Sequence, residues 1–160
     1  MPSLLRSVVG AAVVTFVFAA CFGATSESEA GAPDVAIDFP ATSSPGSVQT
    51  MTLTVTNPGP EPMSTVLVTF TRVGMDMPIV DGALGGDNPA VASVDPEPLR
   101  VDEAAVVYHF DGLAEEESAT ISFRLRVPQE RGVAANSVQV SDGAAPDHVR
   151  GVRLETEVTG

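Results

Sequence analysis

Alternating apolar and polar positions dominate the chain from residue 34 onward. The clearest run is residues 118–127, where apolar and polar residues change places at every step. Residues 49–56 repeat the pattern, with methionine, leucine and valine set between four threonines. A period of two places one set of side chains on each face of a strand. Both segments are therefore predicted to be strands with one buried face.

Other segments carry weaker versions of the same signal. They are residues 35–39, 64–72, 91–94, 106–110, 137–141 and 152–158, whereas residues 40–46 are predicted to form a loop. No segment after residue 33 has a helical period. Seven to eight short strands, with turn signals at intervals of about ten residues, predict an all-β sandwich of antiparallel strands. The predicted domain covers residues 34–160, with residues 91–94 as a short edge strand.

The first twenty residues have a different character. They contain one basic residue, Arg6, no acidic residue, and a stretch at residues 8–20 that is apolar except for Thr15. This composition is typical of a secretory signal peptide. The sequence Val-Phe-Ala-Ala-Cys at residues 17–21 resembles a bacterial lipobox.

The lipobox resemblance implies cleavage before Cys21 and attachment of diacylglycerol to its thiol. Stable anchoring takes more than one acyl chain. Because diacylglycerol supplies two, such an anchor is expected to be durable. Two other outcomes stay open. Cleavage near Ala20 or Ala24 would give a soluble secreted protein, and an uncleaved apolar segment would give a membrane anchor.

Residues 21–33 are predicted to be a flexible tether between the membrane and the domain. They are mostly small, polar or acidic, and Phe22 is their only bulky residue. Such a segment cannot bury enough apolar surface to offset the entropy lost on ordering.

The net charge limits the possible partners, and the cysteine content limits the possible covalent cross-links. The formal net charge is −13 at pH 7, and no basic patch is present to neutralise phosphates, so no nucleic-acid partner is expected. Cys21 is the only cysteine, which excludes a disulfide within the chain.

Three stretches of the predicted sandwich resemble the DUF11-type bacterial immunoglobulin-like surface domain. Residues 50–73 (TMTLTVTNPGPEPMSTVLVTFTRV) join a threonine-rich strand to an Asn-Pro-Gly-Pro turn and a second strand. Residues 111–128 (DGLAEEESATISFRLRVP) resemble the hairpin of that family, and residues 135–140 (ANSVQV) resemble the strand after it. The resemblance implies an immunoglobulin-like fold and a spacer or adhesive role at the cell surface. The chain departs from the family pattern at residues 72–78.

The loop at residues 75–98 contains the one candidate metal site. Its oxygen donors are Asp76, Asp81, Asp87 and Asp95, accompanied by Asn88 and Glu97. Because Ca²⁺ takes six to eight oxygen ligands, these residues could form a calcium site. An ordinary surface loop would have the same composition, and residues 81–88 do not match the EF-hand pattern.

Catalytic chemistry is not expected. His109 is predicted on the outer face of a strand and His148 in a loop, and two distant histidines give little support for zinc. Ser141, Asp142 and His148 have the residue types of a catalytic triad, but no nucleophile elbow or oxyanion loop accompanies them. No cofactor is expected apart from the possible calcium.

The sequence as a whole predicts a non-enzymatic, lipid-anchored protein of the cell envelope that acts as a structural or interaction module. Its partners would be the membrane, through Cys21, and an unknown envelope protein or polymer, bound through an edge strand or loops at one end of the sandwich. The alternative is an extracytoplasmic lipoprotein that binds a small ligand or calcium through the loop at residues 75–98.

Overall fold

Two sheets make up the computed structural model of the protein, which describes residues 32–82, 90–95 and 97–160. The strands are β1 (Asp34–Asp38), β2 (Thr42–Ser43), β3 (Val48–Thr56), β4 (Met63–Thr71), β5 (Val91–Ser93), β6 (Arg100–Val101), β7 (Ala105–Leu113), β8 (Ser118–Arg126), β9 (Gly132–Asp142) and β10 (Val149–Val158). A four-stranded sheet has the order β1-β3-β8-β5, and a six-stranded sheet has the order β2-β10-β9-β4-β7-β6. No helix occurs among the described residues. The predicted all-β sandwich is confirmed, with the orders β1-β3-β8-β5 and β10-β9-β4 matching the two sheets of an immunoglobulin-type domain.

The strand count and some boundaries differ from the prediction. The ten strands exceed the predicted seven to eight because β2 and β6 have two residues each, too short to show any period. β2 lies in the segment predicted as a loop and pairs with β10 in parallel, so the sandwich is not wholly antiparallel. β9 begins at Gly132 rather than at residue 137, because residues 132–136 pair with the second half of β10.

Aromatic rings from both sheets meet at the centre of the core. Phe123 on β8 is fully buried, and its ring centroid lies 5.2 Å from those of both Phe70 on β4 and Tyr108 on β7. Phe110 adds a third ring contact at 6.1 Å. These contacts are close to perpendicular, an arrangement that aromatic pairs favour. The cluster therefore joins the four-stranded sheet to the six-stranded sheet.

A buried asparagine attaches part of the long loop to the core. Asn136 is fully buried, accepts a hydrogen bond from the Val80 amide at 2.8 Å and donates one to the Val80 carbonyl at 2.7 Å. Its side-chain nitrogen also lies 3.3 Å from the Thr71 carbonyl oxygen. Ile79 and Val80 are consequently core residues, each 1% exposed, within a segment predicted to be an ordinary surface loop.

The register places the entry of the chain at one end of the sandwich. Asp34, the first residue of β1, pairs with Thr56, the last residue of β3. Arg150 holds this entry, since its Nη2 is 3.3 Å from Asp34 Oδ1 and its Nε is 3.4 Å from the Pro33 carbonyl oxygen. The β3–β4 turn and the β9–β10 loop lie at this end, which we call the entry end. The β6–β7 turn and the start of β9 lie at the other, far end.

The central ring cluster yields the first prediction. Phe123→Ala should lower the free energy of unfolding by about 3–5 kcal/mol, because it removes a fully buried ring and leaves a cavity between the sheets. Urea denaturation followed by fluorescence or circular dichroism measures this loss. The neighbouring exposed Ser122→Ala is the control and should change stability by no more than about 0.5 kcal/mol. A loss below about 1 kcal/mol for Phe123→Ala would contradict the described packing.

Candidate functional site

An open groove separates the edges of the two sheets on one side of the sandwich. β5 is the edge strand of the four-stranded sheet, as predicted, and β6 is the edge strand of the six-stranded sheet. The space between them, which we call the β5–β6 groove, has a volume of about 360 Å³. Its lining is mainly Val91, Ala92, Val94, Pro98, Val101 and Tyr108.

Apolar side chains stand exposed around this groove. Val101, which lines the groove, is 41% exposed, and Leu99, which follows the lining residue Pro98, is 64% exposed. Both are among the few exposed large apolar side chains of the described residues. Val91 and Val94 are half-buried and pack partly against the core. Neighbouring exposed apolar side chains beside an edge strand are typical of a contact surface for another chain.

Tyr108 lines the groove as its most deeply buried residue. Its side chain is 1% exposed and packs against the ring cluster. Burial of the phenol, together with the negative charge of Glu97, raises the pKa of Tyr108 to about 12. The hydroxyl therefore stays protonated at physiological pH and is able to donate a hydrogen bond.

β5 itself is short and irregular. It pairs with the end of β8, where Val91 is opposite Leu125 and Ser93 opposite Arg124, with a bulge between them. The Arg126 amide donates to the Ala90 carbonyl at 2.6 Å, which fixes the start of the strand. Within the described ranges no strand pairs with the other side of β5. A partner strand can add there by backbone hydrogen bonding.

The aspartates of the calcium hypothesis are only partly described. Asp87 lies outside the described residues, as do Asn88 and Cys21. Asp81 pairs with Arg72 at 2.9 Å, so a cation there would have to compete with a guanidinium group. Asp76 and Asp95 are both exposed. In the part of the chain that the structure describes, no three His, Cys, Asp or Glu side chains are grouped as metal ligands.

The residues with the letters of a triad do not form one. Ser141 and Asp142 are consecutive in β9, so their side chains point to opposite faces of the sheet. Asp142 Oδ1 accepts hydrogen bonds from the Ser64 amide at 3.1 Å, the Ser64 hydroxyl at 2.9 Å and the Ala144 amide at 3.0 Å. The carboxylate thus joins the start of β4 to the β9–β10 loop. His109 is exposed on the outer face of β7, as predicted.

Asp142 and His148 nevertheless line a common groove at the entry end. This groove, which we call the Asp142 groove, has a volume of about 430 Å³ and includes Pro60, Pro62, Met63 and Ala145. Sequence reasoning missed both grooves, because each combines residues from loops that have no periodic pattern. The Asn-Pro-Gly-Pro turn at residues 57–60 is the sequence feature that could have indicated the Asp142 groove, because three of its residues line that groove.

Comparisons with known proteins give structural likeness only. No protein-family model matches the chain, and no curated protein matches it. A PapD-like domain of human CEP192 is 16% identical with a TM-score of 0.40, over 96% of this chain and 97% of that one. AvmM, which catalyses macrocyclization in alchivemycin A biosynthesis, is 16% identical with a TM-score of 0.43, over 79% of this chain and 89% of that one. A β-glucosidase from Listeria innocua is 15% identical with a TM-score of 0.40, over 80% of this chain and 16% of that one. Likeness at this level carries no conclusion about function.

Among the described residues, no helix is long and apolar enough to cross a membrane.

The hydrogen bonds of Asp142 lead to a prediction about pH. Burial alone would raise the pKa of Asp142, but hydrogen bonds from Ala144, Ser64 and Thr65 outweigh it and hold the pKa below the ordinary 3.8. The resulting stability is present above the unfolded-state pKa of about 3.9 and is lost as the pH falls through the lower folded-state value. Wild type should therefore lose more unfolding free energy on acidification than Asp142→Asn. Denaturation of both proteins between about pH 6 and pH 2 measures the difference, and parallel curves would contradict it.

Proposed function

We propose that the protein is a non-enzymatic interaction module of the bacterial cell envelope, held to a membrane by a diacylated Cys21. Its sandwich would receive an extended segment of a partner protein in the β5–β6 groove. The observation that carries the proposal is the open edge strand β5 beside exposed Leu99 and Val101 and the buried Tyr108. The lipobox and tether at residues 17–33 support the location.

The unequal width of the two sheets supports strand addition at β5. The four-stranded sheet ends at β5, whereas the six-stranded sheet continues through β7 to β6. A strand added to β5 would lie over the inner side of β6 and place every second side chain into the groove. The partner segment should therefore be apolar at alternate positions. Exposed Asp95 and Glu97 beside the groove favour basic residues at its ends.

The position of the groove suits a tethered protein. The chain enters at Asp34, which is next to the last residue of β3. β5 pairs with Arg124 and Leu125 near the end of β8, and β6 pairs with Val106 and Val107 near the start of β7. Both strands belong to the far half of the sandwich. A tether attached at the entry end would leave this half accessible to a partner.

Replacing the exposed apolar side chains should abolish partner capture. A photo-crosslinking residue at Ala92 in intact cells should give a crosslinked partner band in wild type and little or none in the double variant Leu99→Asp, Val101→Asp. The control is Val73→Asp, because Val73 is 73% exposed and neither lines the groove nor adjoins one of its lining residues. Melting temperatures should stay close to wild type in all variants, since the changed side chains are exposed. A crosslinked band that is still present in the double variant, or that is lost equally in the control, would contradict the assignment of the groove as the docking site.

The membrane anchor has a separate test. The mature protein should begin at Cys21 and carry the mass of a diacylglycerol, and Cys21→Ser should release it from the membrane fraction. Intact mass spectrometry and membrane fractionation measure both. A mature chain that begins at Phe22 or later, without lipid mass, would exclude the anchor while leaving the groove proposal open to its own test.

A further inference from the structure

Only one of the two carboxylate oxygens of Asp142 accepts hydrogen bonds from the described residues. Asp142 is 8% exposed, and all its hydrogen bonds are accepted by Oδ1, including one from the Thr65 amide at 3.4 Å. Oδ2 has no hydrogen-bond partner among the described residues. Since Asp142 lines the groove, Oδ2 is the oxygen left to a ligand.

No basic side chain of the described residues forms an ion pair with this carboxylate, including His148, which lines the same groove. The ion pairs in the described part of the chain involve Asp34, Asp81, Asp102 and Glu155, but not Asp142. The hydrogen bonds to Oδ1 hold the pKa of Asp142 below its ordinary value, so the group is ionised at physiological pH. Oδ2 is open to solvent, so a cation that binds there would supply the opposite charge with which partly buried carboxylates are normally paired.

The surroundings favour an organic cation over a metal ion. Ca²⁺ requires six to eight oxygen ligands, and no group of three or more potential ligand side chains occurs among the described residues. The side-chain oxygen of Asn57, which also lines the groove, already accepts a hydrogen bond from the Gly59 amide at 3.1 Å. The remaining walls are largely apolar, with Pro60, Pro62, Met63 and Ala145 around a space of about 430 Å³.

We propose that the Asp142 groove binds a small organic ammonium ligand, with its cationic head on Asp142 Oδ2 and its apolar body between Pro60, Pro62 and Ala145. Exposed Glu61 lines the same groove and adds a second negative charge to it. The site is independent of strand docking at β5–β6, because it lies at the entry end of the sandwich and shares no lining residue with that groove.

Hexylammonium is a suitable probe, and hexan-1-ol is its neutral counterpart. The purified full chain is titrated with each compound while ¹H–¹⁵N spectra follow the amides of Ala144, Ala145 and His148. Hexylammonium should give saturable shifts with a dissociation constant in the millimolar range, and hexan-1-ol should bind at least about tenfold more weakly. Equal binding of the two compounds, or no shift with hexylammonium, would overturn the proposal.

Three variants separate the charge of the groove from its shape: Asp142→Asn removes the charge of the site, Glu61→Gln is its control, and Ala145→Phe changes the shape. Asp142→Asn keeps an oxygen acceptor at Oδ1 and removes the charge, so it should weaken hexylammonium binding at least about tenfold. Glu61→Gln is the charge control and should weaken it by less than about threefold, because Glu61 is exposed. Should Asp142→Asn lose its dispersed spectrum, Ala145→Phe carries the test, since it fills the groove and leaves the carboxylate in place. Unchanged binding in a folded Asp142→Asn or in Ala145→Phe would refute the site.

A capped lysine distinguishes a free amine from a protein side chain. Nα-acetyl-lysine methylamide presents the same ammonium group on a similar stem, but its backbone needs room outside the groove. Weaker binding of this compound than of hexylammonium supports a small free ligand. Tighter binding would overturn that part of the proposal and assign the groove to a lysine of another chain.

Discussion

The contact between Phe123 and the rings of the opposite sheet is the interaction on which the rest of the structure depends. Phe123 projects from β8, whereas Phe70 and Tyr108 project from β4 and β7. The described domain contains no cysteine, so packing and hydrogen bonds alone hold the two sheets together. Burial of one large apolar side chain contributes about 1.5–3 kcal/mol, and the core must sum many such terms to offset the entropy of an ordered chain.

Three buried polar side chains fix the loops that the apolar core cannot reach. Asn57 donates to the carbonyl oxygens of Glu61, Leu113 and Ala114, and so joins the β3–β4 turn to the β7–β8 hairpin. Asn136 holds the segment at Val80, and Asp142 joins β4 to the β9–β10 loop. Each links segments far apart in sequence. An unpaired backbone group in these loops would cost free energy, which explains why a polar residue interrupts the apolar inner face of β9.

The sequence predicted the fold well and the grooves poorly, for physical reasons. Long strands with one buried face, such as β3 and β8, leave a period of two in the chain. Residues Thr42–Ser43 and Arg100–Val101 form strands because they pair with β10 and β7. Two residues are too few to show an alternating pattern, so the sequence did not predict these strands. Ile79 and Val80 looked like loop residues because their burial depends on Asn136, more than fifty positions away. The edge position of residues 91–93 was predicted, but the exposed Leu99 beside it and the position of Tyr108 in the groove required the sheet order.

The paired strands β4 and β7 each contribute to one groove. Met63 of β4 lines the Asp142 groove, and Tyr108 of β7 lines the β5–β6 groove. β4 carries Ser64, which bonds Asp142 at the entry end, and its partner β7 carries Tyr108, which faces the β5–β6 groove. Val68 is opposite Tyr108 in the pairing of β4 with β7, so a rigid ladder lies between the two sites. Antiparallel pairing keeps such a ladder in one register, since a slip by one residue would turn Val66, Val68 and Phe70 out of the core. Occupation of one groove should therefore leave the geometry of the other unchanged, so the proposed cation and the proposed partner strand would bind independently of each other.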